Sequence, residues 1–130
     1  MEPKAAGPAL LVVEDDPFMH AIYEDAFAAD HDLASAESAD EALAWAAGHV
    51  PQLMILDVDL PGTDGYDLCK KLRSDAAFAN VPVIFVSGRD RLEDRLKGYE
   101  AGGTDYVVKP IQVEELRVPV DCIVGTSMGS

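Results

Sequence analysis

The chain has 130 residues, 48% of them apolar, which is the length of one domain with enough material for a core and excludes bulk disorder. Its 24 acidic and 10 basic residues leave a formal net charge of -14, which argues against direct contact with a nucleic acid backbone or an anionic membrane. Cys69 and Cys122 lack metal-ligand spacing and read as reduced thiols; no stretch reaches membrane-span length and MEPKAAGPAL has no signal-peptide core, so the cytoplasm is expected.

Residues 1–8 read as a tail. Ala9 to Val13 then form a short branched apolar run, the pattern of a strand covered on both faces. Pro17 suits the first helical position, with Asp16 as its N-cap, and Met19, Ile22, Tyr23, Ala26 and Phe27 fall on one helical stripe. DLASAES is a weaker strand. Ser38 and Glu41 have capping-box spacing for the helix in SADEALAWAAG, and Gly48 suits its end. After Pro51 come the strand LMILDV, the loop PGTDG and a helix in YDLCKKLRSDAAF, whose Lys70, Lys71 and Arg73 read as a short solvated face. VPVIFVSG is a further buried strand. RDRLEDRLKGYEAGG is a helix with Leu92, Leu96 and Tyr99 expected on its inner face, and DYVVKP is the last strand.

Strand and helix thus alternate with short connections, which predicts a doubly wound parallel α/β sheet between helix layers. The end departs from that rhythm. A helix beginning in IQVEELR is expected to stop at Pro119 after barely two turns, leaving residues 118–130 as an atypical tail of strand and Gly-rich turn.

In such a sheet, ligands sit beyond the carboxyl ends of the strands. Glu14, Asp15 and Asp16 end the first strand, Asp57 the third, Ser87 the fourth and Lys109 the fifth. Their convergence would assemble several carboxylates, a hydroxyl and an ammonium. Oxygen-only ligands suit Mg2+, lysine complements phosphate, and a carboxylate nucleophile among them describes phosphoryl transfer to an Asp. Capping accounts for Asp16 without metal ligation. His20, His31 and His49 read as surface or helix-end residues without a metal or catalytic role, and Trp45 and Phe27 as packing residues.

Taken together, VVEDDP, LDVDLPGTDGYDLCKKLR, VPVIFVSGR and GTDYVVKP resemble the receiver domain of bacterial two-component response regulators, over about residues 9–115. The resemblance implies a flavodoxin-like (CheY-like) five-stranded sheet of order 2-1-3-4-5 within a receiver domain of residues 9–117. It further implies that Asp57 is phosphorylated by a histidine kinase or phosphotransfer protein. Asp15 would ligate Mg2+ directly, Glu14 through water, and Asp59 by its carbonyl. Lys109 would pair with the phosphoryl group, Ser87 would hydrogen-bond to it, and Tyr106 would be an aromatic switch that turns inward. Lys109–Pro110 would be a cis peptide. By the same resemblance, Asp59 and Arg89 would occupy positions that tune phosphate lifetime, and their opposite charges are expected to pair across the site's mouth. The output would be a downstream protein target or an output domain.

Two other chemistries share parts of this pattern. LMILDVDL resembles the Asp-x-Asp motif of haloacid-dehalogenase-type phosphatases, again with Asp57 as nucleophile, and a non-phosphorylated interaction module is the non-catalytic alternative. VPVDCIVGTSMGS resembles the nucleophile-elbow segment of patatin-like phospholipases, with VDCIV as the strand and Ser127 as the nucleophile. A shortened last helix would leave Val118, Val120, Ile123 and Val124 to an irregular cover or to a homodimer.

Overall fold

The computed structural model describes residues 5–6 and 10–124. In chain order the elements are β1 (Ala5–Ala6), β2 (Leu10–Val13), α1 (Pro17–Phe27), β3 (Leu33–Ala36), α2 (Ala39–Ala46), β4 (His49–Val50), β5 (Leu53–Asp57), α3 (Gly65–Arg73), a 3-10 turn (Ala76–Phe78), β6 (Val83–Ser87), α4 (Leu92–Glu100), β7 (Asp105–Val108) and α5 (Val113–Val124). Five strands form one parallel sheet in the order β3-β2-β5-β6-β7. Numbered among themselves along the chain, they run 2-1-3-4-5, the expected doubly wound topology. The pair β1 and β4 forms a separate two-residue parallel ladder that the sequence pattern did not indicate, placing Ala5–Ala6 in a strand where a tail was expected.

The pleat divides the core into two layers. Leu11, Val13, Met54, Leu56, Val83 and Phe85 point to the side covered by α2 and α3, where Ala42, Leu68, Cys69 and Leu72 pack. Leu10, Val12, Leu53, Ile55, Ile84 and Val86 point to the other side, against Tyr23 and Phe27 of α1 and Leu116 and Val120 of α5. Both faces of every central strand are therefore buried, which explains why these segments read as unbroken apolar runs. The helix starts behave as their sequences require. Asp16 accepts from Phe18 N ahead of Pro17, and Ser38 Oγ accepts from Glu41 N. Glu41 answers one residue earlier than a capping box would, taking its bond from Glu37 N.

Register is what the site inherits. Val13 lies opposite Ala36 and Leu56, Asp57 opposite Val86, and Ser87 opposite Val108. The carboxyl ends of β2, β5, β6 and β7 consequently finish side by side.

Three expectations are corrected. The last helix does not stop at Pro119: α5 runs from Val113 to Val124 with the proline inside it, so the expected boundary between residues 117 and 118 falls within a helix. A proline there sacrifices about 3 kcal/mol. Leu116 and Val120, both wholly buried, each return roughly 1.5–3 kcal/mol by packing against the core, so the helix persists through the break. With that, the segment VDCIV is helical rather than the strand expected to lead into a nucleophile elbow. Ser127 itself lies outside the described residues.

The second correction concerns α4. Leu92, Leu96 and Tyr99 are not on its inner face but are 71%, 49% and 50% exposed. The helix turns Gly98 inward instead, because a Cβ at that position would already stand 3.1 Å from the Tyr106 ring and 3.2 Å from that of Phe85. Close backbone approach over two aromatic rings outweighs the burial of the leucines.

Third, Arg73 is no solvated lysine-like neighbour of Lys70 and Lys71. Its guanidinium donates to the carbonyls of Phe78 (2.5 Å), Val81 (2.6 Å) and Gly102 (2.7 Å), tying α3 to the entry of β6 and the exit of α4. Trp45 packs against the core and stacks on His49 at 4.9 Å, as a packing role requires. His31 is tucked in beside α5, 3.6 Å from Asp121, with its side chain 5% exposed.

If the proline is tolerated only because its neighbours are buried, Pro119→Ala should raise the unfolding free energy by about 1–3 kcal/mol, and Leu116→Ala should lower it by about 2–5 kcal/mol. Urea titration followed by far-ultraviolet circular dichroism checks both; a neutral proline replacement would show that α5 is interrupted after all.

Candidate functional site

Asp57 ends β5 with its side chain 3% exposed, in a strand whose every residue is buried. Beside it in the register stands Glu14, 1% exposed, immediately after β2. Asp15, one residue on, is exposed, and oxygens of Glu14, Asp15 and Asp57 lie within 4.8 Å of one another. The loop after β7 brings Lys109 across, with Nζ 3.2 Å from Glu14 Oε1 and 3.5 Å from Asp57 Oδ1. The bond from Lys109 N to Ser87 O (2.8 Å) fixes where that loop leaves the sheet, and Lys109–Pro110 is cis as expected.

The electrostatics follow from this crowding. Burial, and then the neighbouring Asp57 carboxylate, push Glu14 up from 4.5 to about 7. Burial would lower the Lys109 ammonium, but Asp57 and Glu14 outweigh it and hold it above its ordinary value. One ammonium thus faces more negative charge than it can neutralise. The surplus, presented by hard oxygens, is what a divalent cation such as Mg2+ would balance; the residues present fit that ion.

Asp57 is also held from below. Gly65 opens α3 against the end of β5, its N–H donating to Val58 O at 2.9 Å. A Cβ at Gly65 would overlap the Asp57 carbonyl oxygen, so only glycine lets the helix approach the strand this closely.

A second polar group closes the mouth. Arg89 binds Asp59 Oδ1 through Nε (2.9 Å) and Nη2 (2.8 Å), forming the pair expected across the site. Ser87, wholly buried, donates from Oγ to Asp59 Oδ2 (3.2 Å) and accepts from Arg89 N (3.0 Å). The Arg89 carbonyl in turn accepts from the hydroxyl of Tyr106 (3.0 Å), whose ring is already turned inward and is 6% exposed. Tyr66, which sequence reasoning passed over, donates to Asp94 O (3.0 Å) and has its hydroxyl 3.3 Å from that of Tyr106. Its only signal was its place directly after Gly65 in the TDGY segment. Asp16 stays outside the carboxylate group and caps α1, as expected.

Comparison with known proteins agrees with this geometry. Residues 10–121 match the family model of the response regulator receiver domain. The chain is 35% identical over 126 residues to the response regulator Rre1 of Synechocystis sp., covering 94% of this chain and 54% of that protein. It is also 35% identical over 121 residues to the two-component response regulator PhoP of Pseudomonas aeruginosa, covering 92% and 53%. Among solved structures it superposes on the receiver domain of the Francisella response regulator 1452 with a TM-score of 0.82 at 29% identity, over 91% of this chain and 97% of that one. The chain belongs to the response regulator receiver domain family. It spans about half the length of Rre1 and PhoP. Its function is that of a phosphoacceptor domain, with self-catalysed phosphorylation and dephosphorylation rather than conventional turnover, and the Glu14–Asp15–Asp57 triad matches the family's Mg2+ site.

The raised Glu14 makes a pH-dependent prediction. Its carboxylate is disfavoured in the folded chain, so its contribution to stability is lost as pH rises from about 4.5 through about 7. In metal-free buffer Glu14→Gln should stabilise the protein on the order of 2–3 kcal/mol at about pH 8, with the gain vanishing near pH 4.5. Added Mg2+ should narrow the difference by stabilising the parent. Thermal melts with EDTA or MgCl2 at the two pH values read this directly.

Proposed function

We propose that Asp57 is the residue that accepts the phosphoryl group, delivered by a histidine kinase or a phosphotransfer protein. The observation that carries this is the Lys109 ammonium 3.5 Å from a buried carboxylate at a strand end, beside two further carboxylates. Asp57 attacks in line, and the bond from phosphorus to the donor's histidine nitrogen breaks as that to the carboxylate oxygen forms. Lys109 neutralises charge on the transferred oxygens. When bound, Mg2+ supplies Lewis-acid stabilisation of the same oxygens, held by Asp15, Asp57 and the Asp59 carbonyl, with Glu14 acting through water.

Ser87 reaches the phosphoryl group only by releasing Asp59, to which its hydroxyl is bonded. That exchange links the chemistry to the segment between β6 and α4, and Tyr106, bonded to the Arg89 carbonyl of the same segment, reports on it. The surface that changes is the α4–β7–α5 face. Exposed Leu92, Leu96 and Tyr99 on α4 and Val118 and Ile123 on α5 support its use in docking an output domain, a separate target protein or a second copy of the chain. The Asp59–Arg89 pair stands at the mouth and slows the approach of the hydrolytic water, lengthening phosphate lifetime.

A haloacid-dehalogenase-type reaction would need the second Asp of the Asp-x-Asp motif free to serve as acid and base. Asp59 is instead engaged by Arg89 and Ser87. A non-phosphorylated module would have no use for a buried Asp57 held against Lys109. Among the described residues, no helix is long and apolar enough to cross a membrane.

Intact mass after incubation with acetyl phosphate and MgCl2 should show one added phosphoryl group, lost in Asp57→Asn and strongly reduced in Lys109→Ala. An unmodified parent overturns the proposal. Reversing either partner of the exposed pair, Asp59→Arg or Arg89→Asp, should shorten the phosphate half-life several-fold, and reversing both together should restore part of it; equal half-lives in all four proteins would dismiss the tuning role.

A further inference from the structure

We propose that His20 is a positioning residue for the divalent-cation site: its imidazole holds the Glu14 carbonyl, and with it the turn that carries Glu14 and Asp15. This rests on reading the acidic triad as a Mg2+ site.

Glu14 stands where the chain leaves the sheet. Its N–H still donates to Ala36 O at 3.0 Å, but β3 ends at Ala36 and the residues after Glu14 turn into α1. The Glu14 carbonyl, on a residue 1% exposed, takes its hydrogen bond from a side chain instead: Nε2 of His20, one turn into α1. Two other bonds complete the turn. Asp16 N donates to Glu14 Oε2 (3.2 Å), and Asp16 caps α1 through Phe18 N (2.9 Å). Asp15, exposed, is carried by the backbone that these bonds fix.

Donation to a carbonyl requires the proton on Nε2, so the neutral ring leaves Nδ1 bare. That nitrogen is buried with no hydrogen-bond partner, and among the described residues it is the one buried side-chain polar atom in that condition. An aliphatic side chain would fill the same space without stranding a lone pair. What the imidazole adds is the donor, and the donor is spent on the backbone of a cation-binding residue. The outer partners of metal sites act in this way, orienting the ligands without touching the ion.

The test uses the full chain and MgCl2. Calorimetric titration should show His20→Leu binding Mg2+ about tenfold or more weakly than the parent. His20→Gln, which retains an amide donor, should recover much of the loss at comparable thermal stability. Nitrogen-15 NMR of the parent imidazole should show the tautomer protonated on Nε2. A folded His20→Leu variant with parental affinity, or a ring protonated on Nδ1 alone, overturns the proposal; the tautomer decides it if the leucine variant does not fold. A parent chain that takes up no Mg2+ instead removes the cation site on which the proposal rests, an outcome separate from either.

Discussion

Two carboxylates buried side by side repel each other and have both lost most of their hydration. Glu14 and Asp57 are held in that position by the parallel pairing of β2 with β5, and the Lys109 ammonium is what makes the arrangement tolerable. The ammonium arrives from the far strand, β7, so the local charge balance needs the whole sheet in register. One ammonium stands against two buried carboxylates and the exposed Asp15, and burial first, then Asp57, hold Glu14 above its ordinary value. That residual negative charge is what a hard cation would balance, while the ammonium complements the oxygens of a transferring phosphoryl group.

Around this centre the protein has two kinds of support. Beneath it, rigid contacts set the geometry: Gly65 against the end of β5, His20 on the Glu14 carbonyl, the Asp16 cap on α1. Above it lies a chain of hydrogen bonds that can be exchanged, running from Asp59 through Ser87 and Arg89 to Tyr106, with Tyr66 alongside on the Asp94 carbonyl. Burial first, and then the hydroxyl of Tyr106, push the Tyr66 phenol up, keeping it a donor. The division suits a reaction centre that must stay fixed while a neighbouring segment moves.

The outward apolar stripe of α4 has a physical origin in the same place. Because Gly98 rides directly over Tyr106 and Phe85, the helix is seated by its backbone, and its leucines are left to solvent. At its far end Arg73 holds the Gly102 carbonyl. Within α4 only Gly98 is buried, in contrast to α1 and α5, which bury aliphatic and aromatic side chains.

Much of this was legible in residue order alone. Unbroken apolar runs announced buried parallel strands, Asp16–Pro17 and Ser38 announced helix starts, and charged residues at the ends of those runs announced the site, because a parallel sheet delivers all its carboxyl ends to one edge. The pairing of Asp59 with Arg89 was expected from the receiver-domain resemblance, which puts both positions beside the site. Periodicity failed where packing overrode it. It assigned the leucines of α4 to the core, but cannot tell that a glycine will claim the inner face. It ended α5 at Pro119, but cannot weigh one lost hydrogen bond against Leu116 and Val120 buried on the opposite layer. Tyr66, Arg73 and His20 were missed for a common reason: each acts on a backbone carbonyl, and carbonyls carry no sequence signature. Which of them stand unpaired, and within whose reach, is decided only when strands and helices are brought together in three dimensions.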